Sequence, residues 1–385
     1  MRFNHFGYSA VGLALLAGSA QAGGFSRGTA DTDILFEQGN FNFRAGAYIA
    51  VPHQEYRSAP TRAPSPGLIG EDYLDTYVIP SAAVKFGFTD NFACAGTYTD
   101  SNGAASSYSA PYGVSGKLSE EFTVAEFGAT CAAFFDVGRG RLALLGGAFL
   151  ERFDYSLDAR PTVPGLAPIP IQVPLNLGLD SSAYGWRAGI GYEIPEIAFR
   201  AQLLYRSGTS HDATGSADTP LLPGVALPAF GSGELPQSVE LKVQSGIAPG
   251  WLAFGSVKWT DWSVNETLDL RFSVPGVGTL ASLNEYYWRD GWTVTAGVGH
   301  AFNENVSGVL TVQWDRGVST GYDLRNDKWL VLAATSLTDK WGGELRLGGG
   351  VSYLSSADIT EGLEAGASVD SGWAGLFAAS YSVKW

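Results

Sequence analysis

The connections between the predicted strands of this chain are of two kinds, and the kinds take turns along its length. Thr89-Asp90-Asn91, Gly138-Arg139-Gly140, Pro195-Glu196, Pro249-Gly250, Asn303-Glu304-Asn305 and Thr338-Asp339-Lys340 are tight turns. Residues 57–72, 100–119, 157–180, 212–235, 271–284, 318–326 and 357–368 read as long, irregular loops. Between them, alternation and turn residues predict fourteen strands: 41–56, 73–88, 92–99, 120–136, 141–156, 181–194, 196–211, 236–248, 250–270, 285–302, 305–317, 327–338, 341–356 and 370–385. A soluble sandwich has no reason to sort its loops by length. A transmembrane β-barrel does, with short turns at the inner mouth and long loops at the outer one. Most of these strands also exceed the ~5–6 residues usual in soluble sheets and suit a tilted membrane crossing.

The faces of the strands agree. In Glu234–Ser263, Val239, Leu241, Val243 and Ile247 share one face while Glu240, Lys242 and Gln244 share the other. After Pro249-Gly250, Trp251, Ala253, Val257 and Trp259 oppose Ser256, Lys258 and Thr260. Successive side chains of a strand point to opposite faces, so lipid takes the apolar row and a wet lumen the polar row. Aromatics gather near strand ends at Trp251, Trp259, Trp262, Tyr286, Tyr287, Trp288, Trp314, Trp329 and Trp341, where an interfacial girdle belongs. The last strand alternates from Trp373 to a terminal Trp385, resembling the C-terminal strand signal of bacterial outer-membrane proteins. The fold class expected is all-β: a transmembrane antiparallel β-barrel of about fourteen strands with a short N-terminal lumenal segment.

Met1–Ala22 has the parts of a secretory signal peptide: Arg2, an apolar stretch from Ala10 to Ala17, and Ala20-Gln21-Ala22 before a cleavage point. The expected division is therefore 1–22 signal peptide, 23–40 lumenal segment or reduced hatch, and 41–385 barrel. Localisation follows as the outer membrane of a Gram-negative bacterium, with membrane lipid, lipopolysaccharide and the barrel assembly machinery as partners. A net charge of −14 argues against nucleic acid. Two Cys and four His offer no zinc-ligand spacing, and no G-x-S-x-G, H-E-x-x-H or P-loop occurs. No cofactor and no enzymatic activity are expected. His211 carries no signal of a neighbouring Ser and acid, so it reads as structural.

LPQSVEL (Leu235–Leu241), WTDWS (Trp259–Ser263) and YYWRDGWTVTAGVGHAFNENVSGVLTVQWD (Tyr286–Asp315) resemble, in this order, the C-terminal half of the FadL/TodX family. That resemblance implies an outer-membrane channel for hydrophobic compounds, long-chain fatty acids above all, or aromatic hydrocarbons in some members. A general diffusion porin, or a structural or adhesive barrel, is the alternative. One departure concerns the hatch. Only Gly23–Asn40 precedes the first strand, and the family's Asn-Pro-Ala motif is absent, so the segment reads equally as a shortened plug or a free arm.

Candidate solute contacts follow from exposed apolar loops and lumenal charge. Leu166–Leu179 is apolar and Pro-rich, as are Leu221–Phe230 and, more weakly, Val274–Leu283. Leu166, Ile169, Ile171, Leu221, Leu222, Leu227 and Phe230 are the candidate landing site. The same loops would equally cap the barrel by packing on each other. Among inward bases, Arg206, Lys242 and Lys258 are candidates for a carboxylate, with internal pairing to acids such as Glu240 as the other reading. Cys94 and Cys131 fall at similar heights on consecutive strands, either as a cross-strand disulfide or as two thiols on opposite faces.

Overall fold

The computed structural model describes residues 23–63, 65–163, 171–274 and 278–385. The predicted leader, Met1–Ala22, and the loop residues Leu166 and Ile169 lie outside them, and Ile171 opens a two-residue strand. The main sheet has eighteen strands. Four of its staves are each broken once, so the eighteen strands make fourteen staves. In chain order these are β1 (Phe41–His53), β2 (Tyr77–Thr89), β3 (Phe92–Tyr112), β4 (Lys117–Val137), β5 (Gly140–Ala159), β6 (Leu175–Ile194), β7 (Phe199–Arg206 and Thr209–Asp218), β8 (Leu227–Leu235 and Ser238–Ala248), β9 (Trp251–Thr260 and Thr267–Val274), β10 (Gly278–Glu285 and Gly291–Ala301), β11 (Val306–Asp315), β12 (Lys328–Thr338), β13 (Glu344–Leu354) and β14 (Gly372–Lys384). Each pairs antiparallel with the next, and β14 pairs with β1 from Asn42↔Lys384 to His53↔Trp373, which closes the barrel.

Side chains alternate as the sequence predicts. On β8, Leu241, Val243 and Ile247 face out and Glu240 and Gln244 face in, buried. Trp259↔Trp292, Trp314↔Trp329, Trp329↔Tyr353 and Tyr353↔Trp373 are direct register partners, forming one arc of an outer girdle. Trp251 lies eight residues below Trp259 on β9. At ~3.3 Å per residue and a tilt of ~40° that is roughly 20 Å, near the height of an apolar membrane band. Trp262 and Trp288 do not join the girdle. Both are buried inside, where the break in β9 and the chain before β10's lower half turn them inward.

The upper walls depart from the predicted loops. β3 to β6 run for 20–21 residues, taking in much of what reads as irregular at 100–119 and 157–180. Strand pattern persists there, but its chemistry inverts. On β6, Tyr184, Trp186 and Ile190 face out in the lower half. In the upper half, Leu175, Leu177 and Leu179 are buried inside, whereas Asn176 and Asp180 face out. The outer solvent changes from lipid to water along the stave, so the apolar row moves from the outer to the inner face.

The N-terminal segment runs down the lumen rather than hanging free. A 3-10 turn at Thr32–Phe36 buries Ile34, Leu35 and Phe36 against Ala83, Ala93, Ala95, Ala132 and Ala143. These wall alanines leave the volume that the three larger side chains fill. Asp31 and Glu37 both pair with Arg44, at 2.6 and 2.8 Å, and Asp33 pairs with Lys242.

Candidate functional site

At its upper end the segment places Phe25 at the centre of an aromatic floor. Its ring lies 4.8 Å from Phe122, 4.6 Å from Trp288, 5.5 Å from Tyr286 and 6.0 Å from Trp262. Gly24 makes this approach possible. At φ +52° it adopts a conformation that suits glycine, and a Cβ there would lie 2.6 Å from Trp262. Above the floor is a cavity of about 210 Å³. Inward residues of the inverted upper walls line it, including Tyr155, Leu179, Ala213 and Leu270. The roof is a tyrosine cluster from the loops and the top of β3. Tyr108 stacks on Tyr112 at 4.7 Å, and Tyr56 lies 4.9 Å from Tyr73 and 5.5 Å from Tyr112. Most buried polar groups around the cavity are partnered. Glu120 accepts from Lys117, Tyr155 and Asn284, and Trp288 donates to Asp323 at 2.7 Å. An apolar, largely preformed cavity with a few polar groups is the usual form of a small-molecule site.

The wall beside this cavity is interrupted. The β2–β3 ladder stops at Ser81↔Thr99. Above it, Tyr77–Pro80 pair only with β1, and Pro80 has no N–H to offer a ladder. The N-terminal segment takes the freed edge of β3. Arg27 and Gly28 donate backbone N–H groups to Ser101 and Asp100, and Gly103 donates to Phe25, at 2.7–2.9 Å. Contact between the staves resumes higher up, at Leu74↔Ser106. The resulting window is flanked by Tyr77–Pro80 on one side and Asp100–Gly103 on the other, and among the described residues it is residues 25–28 that cross it.

The sequence-predicted contacts divide. Leu227 is buried in the apolar lining and Leu222 packs against it, whereas Leu221 and Phe230 face outward. Leu221–Phe230 is therefore mostly the connection and strand of an extended hairpin, not one continuous apolar surface. Arg206 is held by Glu126, at 2.9 Å, and by Glu151. Lys242 is held by Asp33 at 2.9 Å. Lys258 stands opposite Glu240 in the β8–β9 ladder and lines a separate cavity of about 50 Å³ with Glu126 and Arg206. Neither Arg206 nor Lys242 presents an unpaired charge to the aromatic cavity.

His211 has the neighbours that the sequence did not signal. Its Nδ1 is 2.9 Å from Ser181 Oγ, and Nε2 is 3.5 Å from Glu151. Glu151 is already engaged by Arg206, Thr209 and Ser101, so the group is a buried polar network in the wall. Cys94 and Cys131 are register partners on the outward face of β3 and β4, with their sulfurs 2.06 Å apart.

Sequence reasoning missed Phe25, Trp262, Trp288 and the roof tyrosines. The signals present were Gly23-Gly24 before an aromatic and the WTDWS and YYW motifs, which locate the floor rather than the girdle.

Comparison with known proteins agrees with this architecture. Residues 35–307 match the family model for outer membrane protein transport protein (OMPP1/FadL/TodX). A long-chain fatty acid transport protein of Salmonella typhi is 29% identical over 202 residues, covering 44% of this chain. That match spans only 45% of the relative's length. The fold is that of a Pseudomonas aeruginosa FadL homologue, with a TM-score of 0.74, 13% identity, and coverage of 100% of this chain and 98% of the other. It is also that of the Pseudomonas putida toluene transporter TodX, with a TM-score of 0.64, 14% identity, and coverage of 95% and 96%.

Proposed function

Since the chain belongs to the outer membrane protein transport protein family (OMPP1/FadL/TodX), a family of outer-membrane transport proteins rather than enzymes, we propose that it admits compact hydrophobic solutes from outside the cell. In this reading a solute passes the tyrosine roof, rests in the cavity above Phe25 and leaves sideways through the window between β2 and β3. The observation that carries the reading is that the aromatic cavity adjoins a second, smaller one lined by Tyr77 and Gly103 at the break in the wall. The lumen below is lined differently. It holds the Asp31, Asp33, Glu37, Arg44 and Lys242 pairs and, beneath them, the apolar collar around Ile34–Phe36. Moving an apolar molecule past desolvated ion pairs would forfeit its favourable burial.

Two solute classes are compatible with the family: long-chain fatty acids, expected from the sequence, and aromatic hydrocarbons. The cavity of about 210 Å³ is bounded by ring faces on two sides, the Phe25 floor and the tyrosine roof. That favours a single ring over a long acyl chain, whose tail would have to lie in the window.

The test is uptake by an outer-membrane deletion strain carrying this chain, with radiolabelled toluene and oleate supplied separately. Faster toluene entry that is lost in Ala105→Trp, at a residue lining both the aromatic cavity and the smaller one beside it, is the expected result. Large, steady ion currents through the wild-type protein in planar bilayers, with no solute-specific uptake, would favour a diffusion porin instead.

A further inference from the structure

We propose that Arg27 and Arg325 form an anion subsite behind the window, so that the solutes held most tightly are ring compounds bearing a carboxylate. The subsite rests on the reading of the aromatic cavity as the solute site. A second cavity of about 100 Å³ lies next to the first, and the two share Tyr73, Leu74, Ala104, Ala105, Leu324 and Arg325. Arg27 lines the second cavity and Arg325 lines both. Arg325 sits over the Phe25 ring, 5.2 Å from its centroid, at the junction of the two.

Arg27 is the sharper observation. It is 5% exposed, and its Nη2 has no hydrogen-bond partner among the described residues. Its guanidinium lies over Tyr77 at 4.5 Å and against Gly103, where a Cβ would lie 2.7 Å from Cζ. The backbone of β3 is thus shaped to admit this group. Acids do line the second cavity, but each is engaged elsewhere. Asp75 accepts from Ser107, Asp315 from the Gly23 N–H, and Asp327 from Trp314 and Gly317. Asp323, on the cavity side of Arg325, accepts from Trp288 and from the Arg325 backbone N–H. Neither guanidinium forms an ion pair among the described residues.

A buried guanidinium with idle donors is costly to keep. Arg325, half-buried at the junction of the two cavities, adds like charge beside it, and a bound carboxylate both satisfies the idle Arg27 Nη2 and offsets that repulsion. Guanidinium donors match carboxylate oxygens in a planar fork. A ring placed over Phe25 directs a carboxylate towards Arg325 and Arg27, whereas a hydrocarbon of equal size leaves them unpaired.

The test is calorimetric titration of the full-length protein in detergent with benzoate, its neutral isostere benzamide, and ethylbenzene. Ethylbenzene binding reports the cavity, and the benzoate-to-benzamide ratio reports the subsite. We expect benzoate to bind at least tenfold more tightly than benzamide. Arg27→Met, at a residue that does not line the ethylbenzene cavity, should abolish that preference while leaving ethylbenzene affinity within twofold, and Arg325→Met should abolish it whatever it does to ethylbenzene. Arg27→Lys and Arg325→Lys, which keep charge but lose the fork, should retain part of it, and gel heat-modifiability confirms a closed barrel in each. Equal affinity for benzoate and benzamide with ethylbenzene still bound overturns the subsite and leaves the cavity reading intact. An undiminished preference in both Met variants overturns it as well. Failure of the wild-type protein to bind any of the three overturns the cavity reading and the subsite with it.

Discussion

Lys242 Nζ, on the wall stave β8, donates to Asp33 Oδ2 on the N-terminal segment across a sequence separation of 209 residues, at 2.9 Å. The carboxylate is almost fully buried, and Glu240 approaches the same ammonium at 3.7 Å. Breaking a buried pair from one side leaves the other charge uncompensated, at a cost of about 3–5 kcal/mol where burial is complete and less here because Lys242 keeps some exposure. Asp33→Asn should therefore loosen the foot of the segment while the barrel stays closed. Single-channel recording should show brief open events that are absent in the wild type, and mild protease should cut near residues 30–40.

Phe25 ties the top of the segment to the floor of the cavity through four aromatic neighbours. Phe25→Ala removes those contacts, a loss of about 3–5 kcal/mol for a well-packed phenylalanine. Part of the loss appears as segment release and part as weaker solute binding. Toluene affinity should fall by tenfold or more in equilibrium binding, with little change in the thermal unfolding of the barrel.

The Cys94–Cys131 pair joins neighbouring staves that are already in register on either side of it, such as Ala93↔Ala132 and Ala95↔Thr130. Such a crosslink constrains the unfolded chain over a separation of 37 residues, so its loss should cost about 2–4 kcal/mol while the register of the folded sheet is kept by the ladder on either side. Protein purified without reductant should show no alkylation by maleimide until denatured and reduced. The Cys94→Ser, Cys131→Ser double variant should insert and fold, with heat-modifiability nearly unchanged.

The cap should respond to pH. Burial raises the Glu364 carboxyl above its ordinary value, as does the nearby Glu285, with Lys117 acting against them. Burial raises Asp323 in the same way, opposed chiefly by Arg325. A carboxyl raised in the folded cap binds its proton more tightly there than when the loop is open. The cap is therefore favoured as pH falls through the raised value, and the gain is complete below the ordinary carboxylate range. Hydrogen exchange over residues 355–371 should slow between pH 7 and pH 4.5 once corrected for intrinsic rates. Glu364→Gln should slow it already at pH 7 and flatten the pH response.

How far the sequence reaches is clearest on β6 and in the N-terminal segment. From Tyr184 to Ile190, alternation alone assigns lipid and lumen faces, because the two solvents differ sharply and the side-chain period of a strand is two. The even strand count, the sorted connections and the terminal Trp385 are local or additive properties, and all are legible in one dimension. Leu175, Leu177 and Leu179 have the opposite parity, so the same alternation carried up the strand turns them inward; what the sequence cannot express is where the apolar row changes face. Whether an apolar row meets lipid or lumen depends on its height above the membrane, and height is a property of the assembled barrel. The same limit applies to Arg206 and Lys242, whose partners Glu126, Glu151 and Asp33 lie 55 to 209 residues away. Only closure of the sheet brings Phe25 beneath Tyr286 and Trp288, opens the wall at Pro80, and leaves Arg27 buried against Gly103 with its Nη2 unpartnered among the described residues. Strand chemistry determined the barrel. The shape of its interior, and with it the site, was decided by which distant staves the threaded segment happened to meet.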